Sequence, residues 1–141
     1  MTTQSQAAVT SAPDSLTGVR VMVIDDSATI RRSAEIALTQ AGCQVILADD
    51  GFDALAKVID HQPDIIFMDI MMPRLDGYAT CSMLKRNPQY RDTPVVMLSS
   101  KDSVFDQARG RLVGANQYLL KPFTRQSLLQ SVAAHVSNTA R

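Results

Sequence analysis

The chain has 141 residues, of which 45% are hydrophobic and 20% are charged, a composition typical of one globular domain. Its 14 basic and 14 acidic side chains cancel, which argues against binding of nucleic acid or an anionic membrane through net charge. Cys43 and Cys81 lack Cys-x-x-Cys spacing, so we expect two buried thiols in a reducing compartment. Since no segment has the pattern of a membrane helix or a secretory signal, a cytoplasmic protein is expected.

Residues 1–18 are rich in Ser, Thr, Gln and Ala without periodicity, which predicts a disordered N-terminal tail. From residue 19 to residue 138, strands and helices alternate, and we assign this range to one domain. The predicted strands cover residues 19–24, 44–48, 94–98 and 117–120, together with the apolar run at 65–73 that delivers Asp69.

A helix is predicted after each strand. Capping residues or turn signals place the helix starts at Ser27, Asp50, Asp76-Gly77, Ser103 and near Thr124. Gly42 suits a left-handed end of helix 1, and Gly114 is predicted to end helix 4. The apolar faces of helices 1, 2, 3 and 5 are predicted as follows: Ile30, Ala34, Ala37, Leu38 and Ala41; Ala54, Leu55, Val58 and Ile59; Tyr78, Cys81 and Leu84; and Leu128, Leu129, Val132 and Val136.

Five strand–helix units in succession predict an α/β domain with a parallel sheet. Right-handed crossovers with helices on both faces require a doubly wound arrangement. We expect the flavodoxin-like order 2-1-3-4-5, in which functional residues collect at the carboxyl ends of the strands beside the switch point between strands 1 and 3.

Polar side chains are predicted at the carboxyl ends of four neighbouring strands. Asp69 follows a run that is apolar enough to be buried on both faces. Because an unpaired buried acid is costly, Asp69 is expected at the sheet edge, facing a crevice. The order 2-1-3-4-5 brings to the same edge Asp25 and Asp26 from strand 1, Ser99 from strand 4 and Lys121 from strand 5.

Three carboxylates in one pocket repel one another, and a divalent cation would relieve that repulsion. An all-oxygen site rich in carboxylates suits Mg²⁺, for which Mn²⁺ can substitute. We interpret Asp25, Asp26 and Asp69 as side-chain ligands and the backbone carbonyl of Met71 as a further protein ligand.

Asp69 is interpreted as the acceptor of a phosphoryl group. Lys121 would supply positive charge to the phosphoryl oxygens and Ser99 a hydroxyl donor. Taken singly, these residues have ordinary alternatives: solvated loop acids at Asp25 and Asp26, a surface lysine and a strand-end hydroxyl. Their shared position at strand ends favours the functional interpretation.

The same residues match a family pattern. The pair Asp25-Asp26, Asp69 with Met72-Pro73 and Asp76-Gly77, Ser99, and Lys121-Pro122-Phe123 resemble the receiver domain of two-component response regulators. The match covers residues 19–136. Longer stretches, such as Met-Pro-Arg-Leu-Asp-Gly-Tyr, are similar to a single-domain regulator of twitching motility, which belongs to a chemotaxis-like system controlling type IV pili.

This resemblance implies that Asp69 takes its phosphoryl group from a phosphohistidine on a histidine kinase or phosphotransfer domain. It also implies Mg²⁺ at Asp25 and Asp26 and a cis Lys121–Pro122 bond. Ser99 and Tyr118 would act as a switch that remodels the face formed by helix 4, strand 5 and helix 5, where a downstream protein would bind. Arg109, Arg111 and Gln117 are expected on or near that face.

We expect a stand-alone regulator without an output domain, which signals through protein–protein contacts and catalyses only its own phosphorylation and dephosphorylation. Met71, two residues after the acceptor, cannot orient an attacking water, so slow to intermediate self-dephosphorylation is expected. A phosphate sink for the kinase and a pseudo-receiver that binds partners without phosphorylation are the alternatives.

Two other classes of protein share parts of the pattern. A phosphatase of the haloacid dehalogenase type needs a second Asp two residues after the nucleophile, where this chain has Met71. A flavodoxin-like FMN binder needs a phosphate-binding loop after strand 1, where Asp25-Asp26 would repel phosphate. His61 and His135 are interpreted as structural residues near helix ends.

Overall fold

Five strands and five helices alternate in the computed structural model, which describes residues 16–100 and 104–136. The predicted order of elements is confirmed. In chain order they are β1 Arg20–Ile24, α1 Ala28–Gln40, β2 Gln44–Ala48, α2 Gly51–His61, β3 Ile65–Asp69, α3 Gly77–Arg86, β4 Val95–Ser99, α4 Val104–Leu112, β5 Gln117–Leu120 and α5 Arg125–Val136.

The strands form one parallel sheet in the order β2-β1-β3-β4-β5, as predicted. The order reverses beside β1, which lies between β2 and β3. In the register of the sheet Asp69 is opposite Leu98, and Ser99 is opposite Leu120. The carboxyl ends of four contiguous strands therefore meet at one edge.

The sheet separates two apolar layers, because successive side chains of a strand point to opposite faces. Val21 and Val23 of β1 belong to the layer covered by α1 and α5, whereas Met22 and Ile24 belong to the layer covered by α2 and α3. All five residues of β3 are buried. This burial explains why β3 reads as an uninterrupted apolar run that ends in a single acid.

Capping side chains and glycines define several of the helix ends, as the sequence indicates. The side chains of Ser27, Asp50 and Asp76 each accept a hydrogen bond from an amide in the first turn of α1, α2 and α3, respectively. Gly42 and Gly114 adopt φ angles of 96° and 97°, in the left-handed region that glycine reaches without strain. Ser103, the predicted start of helix 4, lies outside the described residues.

The predicted boundary of the tail needs a correction. Leu16 is buried in the layer covered by α1 and α5, and its carbonyl accepts a hydrogen bond from the amide of Val19. The amide of Gly18 donates to the carbonyl of Gly42. The packed chain therefore includes residues 16–18, because one leucine at the end of a polar stretch can still cover the core. Residues 1–15 and 137–141 lie outside the described part.

The predicted faces of the helices are largely correct. Tyr78, Cys81 and Leu84 are buried, as are Leu128, Val132 and Val136. Ile59 was placed on the inward face of helix 2, but it is 63% exposed. From that helix Ala54 and Val58 are buried in the core, and Leu55 packs against it while partly buried.

Both cysteines are buried free thiols, as expected. Burial raises the pKa of Cys43 and of Cys81 to about 11, which keeps them protonated and unreactive at neutral pH.

Among the described residues, no helix combines the length and the apolar character that crossing a membrane requires.

Candidate functional site

The residues predicted for the site meet at the carboxyl edge of the sheet. Asp25 follows β1, Asp69 ends β3, Ser99 ends β4 and Lys121 follows β5. Each is thus delivered by a different strand, and the strand order places these four strands side by side. Rigid strand ends are a precise way to hold several side chains in one place.

Three carboxylates form the centre of this cluster. One side-chain oxygen each of Asp25, Asp26 and Asp69 lies within 4.8 Å of the other two. Asp25 is fully buried and Asp69 is 4% exposed, whereas Asp26 is exposed at the entrance. Like charges this close to one another repel strongly where water is excluded.

Lys121 partly offsets the negative charge. Its Nζ lies 2.7 Å from Oδ2 of Asp25 and donates a hydrogen bond of 3.1 Å to Oδ1 of Asp69. The amide of Lys121 donates to the carbonyl of Ser99 at 2.7 Å, which extends the pairing of β4 and β5 by one residue. The Lys121–Pro122 peptide bond is cis, as the family resemblance implies.

The pKa values of the two partners follow from this arrangement. Burial, reinforced by the charge of Asp25, raises the pKa of Asp69 to about 6, although Lys121 opposes the rise. Burial lowers the pKa of Lys121, but its hydrogen bonds and charge interactions with Asp25 and Asp69 outweigh this and leave the pKa raised. At neutral pH the Asp69 carboxyl is therefore mostly ionised and the Lys121 side chain is charged.

Asp25 is held by contacts that the sequence did not indicate. Its Oδ1 accepts a hydrogen bond of 2.9 Å from the amide of Ser27, and its backbone carbonyl accepts one of 2.7 Å from Nη1 of Arg31. Arg31 lies in the first turns of α1, six residues after Asp25. That spacing brings a long side chain back over the turn, and it is the signal that could have identified Arg31.

The loop between β3 and α3 lies against Asp69. The amide of Met71 donates a hydrogen bond of 3.4 Å to Oδ1 of Asp69, and the side chain of Met71 is exposed. Gly77 starts α3 so close to β3 that a Cβ atom there would lie 2.8 Å from Cα of Ile70 and overlap the carbonyl oxygen of Asp69. A glycine is therefore required at residue 77 for this close approach of backbones.

The donor set fits a divalent cation. All side-chain ligands offered are carboxylate oxygens, which Mg²⁺ and Mn²⁺ prefer. Oδ2 of Asp25 is buried and makes no hydrogen bond among the described residues, although it lies beside the ammonium group of Lys121. An electron pair is thus available on the most deeply buried acid, which is consistent with cation binding at Asp25, Asp26 and Asp69.

The two predicted switch residues occupy the strands next to the acids. Ser99 is buried at the end of β4, and Tyr118 of β5 lies opposite Met97 of β4. Tyr118 also lines a cavity of about 210 Å³ between α4 and β5, whose lining includes Arg111 and Gln117. The expectation that these residues lie near one face is therefore consistent with the geometry.

Arg109 has a more specific environment than the sequence suggested. Its guanidinium carbon lies 4.4 Å from the ring centre of Tyr78, over the ring face, and the hydroxyl of Tyr78 donates to the carbonyl of Asp106 at 3.1 Å. Tyr78 is the residue after Gly77. It therefore connects the start of α3 with α4.

The family model described as the response regulator receiver domain matches residues 21–133. The chain belongs to this family. Among the curated relatives, protein PilG of Pseudomonas aeruginosa is 62% identical over 119 residues, which cover 84% of this chain and 88% of PilG. Response regulator MprA of Mycobacterium sp. (strain KMS) is 38% identical over 122 residues, 86% of this chain and 52% of MprA.

Solved receiver structures have the same fold. The chemotaxis protein CheY4 of Vibrio cholerae superposes with a TM-score of 0.81 at 34% identity, over 84% of this chain and 99% of CheY4. Membership of the receiver family argues against the two alternative assignments, a dehalogenase-type phosphatase and an FMN-binding protein.

His61 ends α2, and His135 lies in the last turn of α5 with its Nδ1 2.9 Å from the carbonyl of Ser131, as expected for structural residues.

Proposed function

We propose that this receiver domain accepts a phosphoryl group on Asp69 from a phosphohistidine of a histidine kinase or phosphotransfer domain. The observation that carries the proposal is the position of Lys121, whose Nζ contacts both Asp25 and Asp69 within a buried acidic cluster. A lysine placed in this way offsets the charge of the carboxylates before transfer. Its ammonium group can then pair with the oxygens of the incoming phosphoryl group.

The transfer needs a free carboxylate oxygen. Oδ1 of Asp69 accepts hydrogen bonds from Lys121 and from the amide of Met71, whereas no hydrogen bond to Oδ2 is present among the described residues. Oδ2 attacks phosphorus and forms the new P–O bond while the P–N bond of the phosphohistidine breaks. The electron pair of that bond returns to the ring nitrogen, which leaves a neutral imidazole. Lys121 then pairs with a phosphoryl oxygen.

Mg²⁺, or Mn²⁺ in its place, would be held by Asp25, Asp26, Asp69 and the backbone carbonyl of Met71. When bound, the cation supplies positive charge that lets an anionic phosphoryl group approach three carboxylates. The Ser99 hydroxyl donates to the phosphoryl group on the side of β4. These roles make the chain a catalyst of its own modification and not an enzyme that turns over a free substrate.

The signal leaves through the face formed by α4, β5 and α5. Ser99 and Tyr118 form the switch, since Ser99 ends β4, the strand between β3 and β5, and Tyr118 lies on β5 of this face. Exposed apolar side chains at Val104, Leu112 and Leu120 support protein binding there. The biological output is the control of type IV pilus twitching motility in a chemotaxis-like system, a proposal that rests on the sequence resemblance.

Intact mass spectrometry after incubation with acetyl phosphate and Mg²⁺ tests the acceptor. The wild-type chain should gain one phosphoryl group, and Asp69→Ala or added EDTA should prevent the gain. Asp60→Ala, which removes an exposed acid on α2, is the matched control and should be modified like wild type. No gain by the folded wild-type chain would contradict the proposal and favour a partner-binding domain that works without phosphorylation.

A further inference from the structure

Arg74 lies in the loop between β3 and α3 and has an unusual backbone. Its φ angle is 68°, in the left-handed region that is unfavourable for residues other than glycine. Such a conformation persists only where surrounding contacts impose it. The contacts of the Arg74 side chain are therefore informative.

Among the described residues, the guanidinium group of Arg74 contacts Asp50 and Phe52, at the start of α2. It forms an ion pair with Oδ2 of Asp50, the residue that caps α2, and it lies over the ring of Phe52 at 5.3 Å from the ring centre. The other oxygen of Asp50 accepts the capping hydrogen bond from the amide of Asp53 at 2.7 Å. Asp50 thus serves the helix and the loop with different atoms.

The backbone of the loop is also packed against α2. A Cβ atom at Gly51 would lie 2.9 Å from Cδ2 of Leu75 and 3.0 Å from its carbonyl oxygen. The loop and the first turn of α2 are therefore in direct contact below the Arg74 side chain. We call the contacts of Arg74 with Asp50 and Phe52 the loop clasp.

The same loop carries the backbone of Met71, which is hydrogen-bonded to Asp69 and is the predicted carbonyl ligand of the cation. A backbone carbonyl that binds a cation is oriented by the backbone of its loop. Its position therefore depends on the contacts that hold the loop. The side chain of Met71 is exposed and provides little anchoring. The loop clasp attaches the loop to the start of α2 through a charged side chain.

We propose that Arg74 is a positioning residue for the cation site. By fixing the loop on α2 through Asp50 and Phe52, it holds the Met71 carbonyl in place beside Asp69 for Mg²⁺. This inference rests on the proposed function and adds to it. Arg74 acts through the loop, since its contacts are with Asp50 and Phe52 and not with the proposed ligands of the cation.

The test is a titration of the full chain with MgCl₂, followed by the backbone amide NMR signals around Asp69. We expect Arg74→Gln to weaken Mg²⁺ binding about three- to tenfold, the range that an exposed ion pair and a cation–π contact provide. Asp50→Asn, which keeps the helix cap, and Phe52→Leu should each give a part of this loss. Arg74→Lys should restore part of the affinity because it keeps the charge.

The matched control is Arg20→Gln. Arg20 pairs with Asp64 at the opposite end of the sheet. The side chains of Arg20 and Asp64 are 43% and 16% exposed, and those of Arg74 and Asp50 are 66% and 16% exposed. Arg20→Gln should lower thermal stability about as much as Arg74→Gln and leave Mg²⁺ affinity unchanged. At saturating Mg²⁺, Arg74→Gln should be phosphorylated by acetyl phosphate at the wild-type rate.

The outcomes separate the two proposals. If the wild type binds Mg²⁺ and is phosphorylated, but Arg74→Gln has the same Mg²⁺ affinity or loses no more than Arg20→Gln, the positioning role is wrong and the proposed function stands. If the wild type neither binds Mg²⁺ nor gains a phosphoryl group, the proposed function fails and the positioning role with it.

Discussion

Asp69 combines two properties that oppose each other, burial and negative charge. Burial and the neighbouring Asp25 raise its pKa from 3.8 to about 6, so the folded protein binds the Asp69 proton more tightly than the unfolded chain does. Protonation of Asp69 therefore stabilises the fold. In the absence of a divalent cation this stabilisation is complete below the unfolded pKa of 3.8 and is lost as the pH rises through about 6.

We expect Asp69→Asn to raise the unfolding temperature of the cation-free protein at neutral pH, by about 3–6 °C, because it removes the ionised buried group. The difference from wild type should shrink as the pH is lowered from 7 towards about 5, where wild-type Asp69 becomes protonated. Thermal unfolding followed by circular dichroism in EDTA measures both effects. Asp60→Asn, an exposed substitution, is the control, and a lower unfolding temperature for Asp69→Asn would contradict this account.

The residues of the site could be predicted to different degrees. Asp25, Asp26, Asp69 and Lys121 could be predicted, because each lies at the carboxyl end of a strand whose apolar pattern is clear. Arg31 and Arg74 could not. Their roles depend on contacts with backbone and side chains that the strand pattern does not place, and a lone arginine is more often solvated.

Among the elements, α3 begins in direct contact with the strand end that carries Asp69. Its first residue, Gly77, touches the backbone of Asp69 and Ile70, and its cap, Asp76, accepts a hydrogen bond from the amide of Ala79. A side chain at residue 77 would meet backbone atoms, which cannot move independently of β3. The start of α3 and the end of β3 therefore behave as one unit.

We expect Gly77→Ala to destabilise the fold by about 1–3 kcal/mol, the usual range for forced overpacking. Gly110→Ala is the matched control, since Gly110 lies within α4 and its Cβ would have its nearest neighbours at 3.8 and 3.9 Å. That substitution should stabilise α4 by about 0.5–1 kcal/mol because alanine favours the helix. Urea unfolding measures both changes, and effects of the same sign would show that the contact at Gly77 is not the cause.

Element boundaries were predictable where local chemistry determines them. The caps at Ser27 and Asp50 and the left-handed Gly42 mark helix ends by hydrogen bonding and steric freedom, which are properties of the local sequence. Ile59 was misplaced because period alone does not say how wide the buried face of a helix is. Leu16 was missed because a single apolar residue carries no period at all.

At the scale of the whole molecule, the strand order brings the residues of the site together. Contacts between helices connect the site with the surface at α4. Tyr78 joins α3 to α4 through Asp106 and Arg109, residues about 30 positions away in sequence. No local pattern predicts such a pair, since its partners are brought together only by the completed fold. This contact links the start of α3 directly with α4.

We expect a phosphoryl mimic to alter the protein unevenly. With Mg²⁺ and beryllofluoride, amide hydrogen exchange should change most in α4 and β5, and least in α2, which packs on β2 at the sheet edge opposite β5. Asp69→Ala should abolish the change. Equal protection throughout the described helices would indicate stabilisation of the whole fold and would contradict a switch at this face.

The Lys121-Pro122 dipeptide also bears on self-association. β5 has only four residues and lies at one edge of the sheet, where an unpaired backbone can template the addition of another chain. Lys121 extends its pairing by one residue through the carbonyl of Ser99, and the next residue, Pro122, has no amide hydrogen to offer. The residues that bring the site its ammonium group thus leave a short edge that ends in a charge and a proline, which disfavours polymerisation of one sheet onto another.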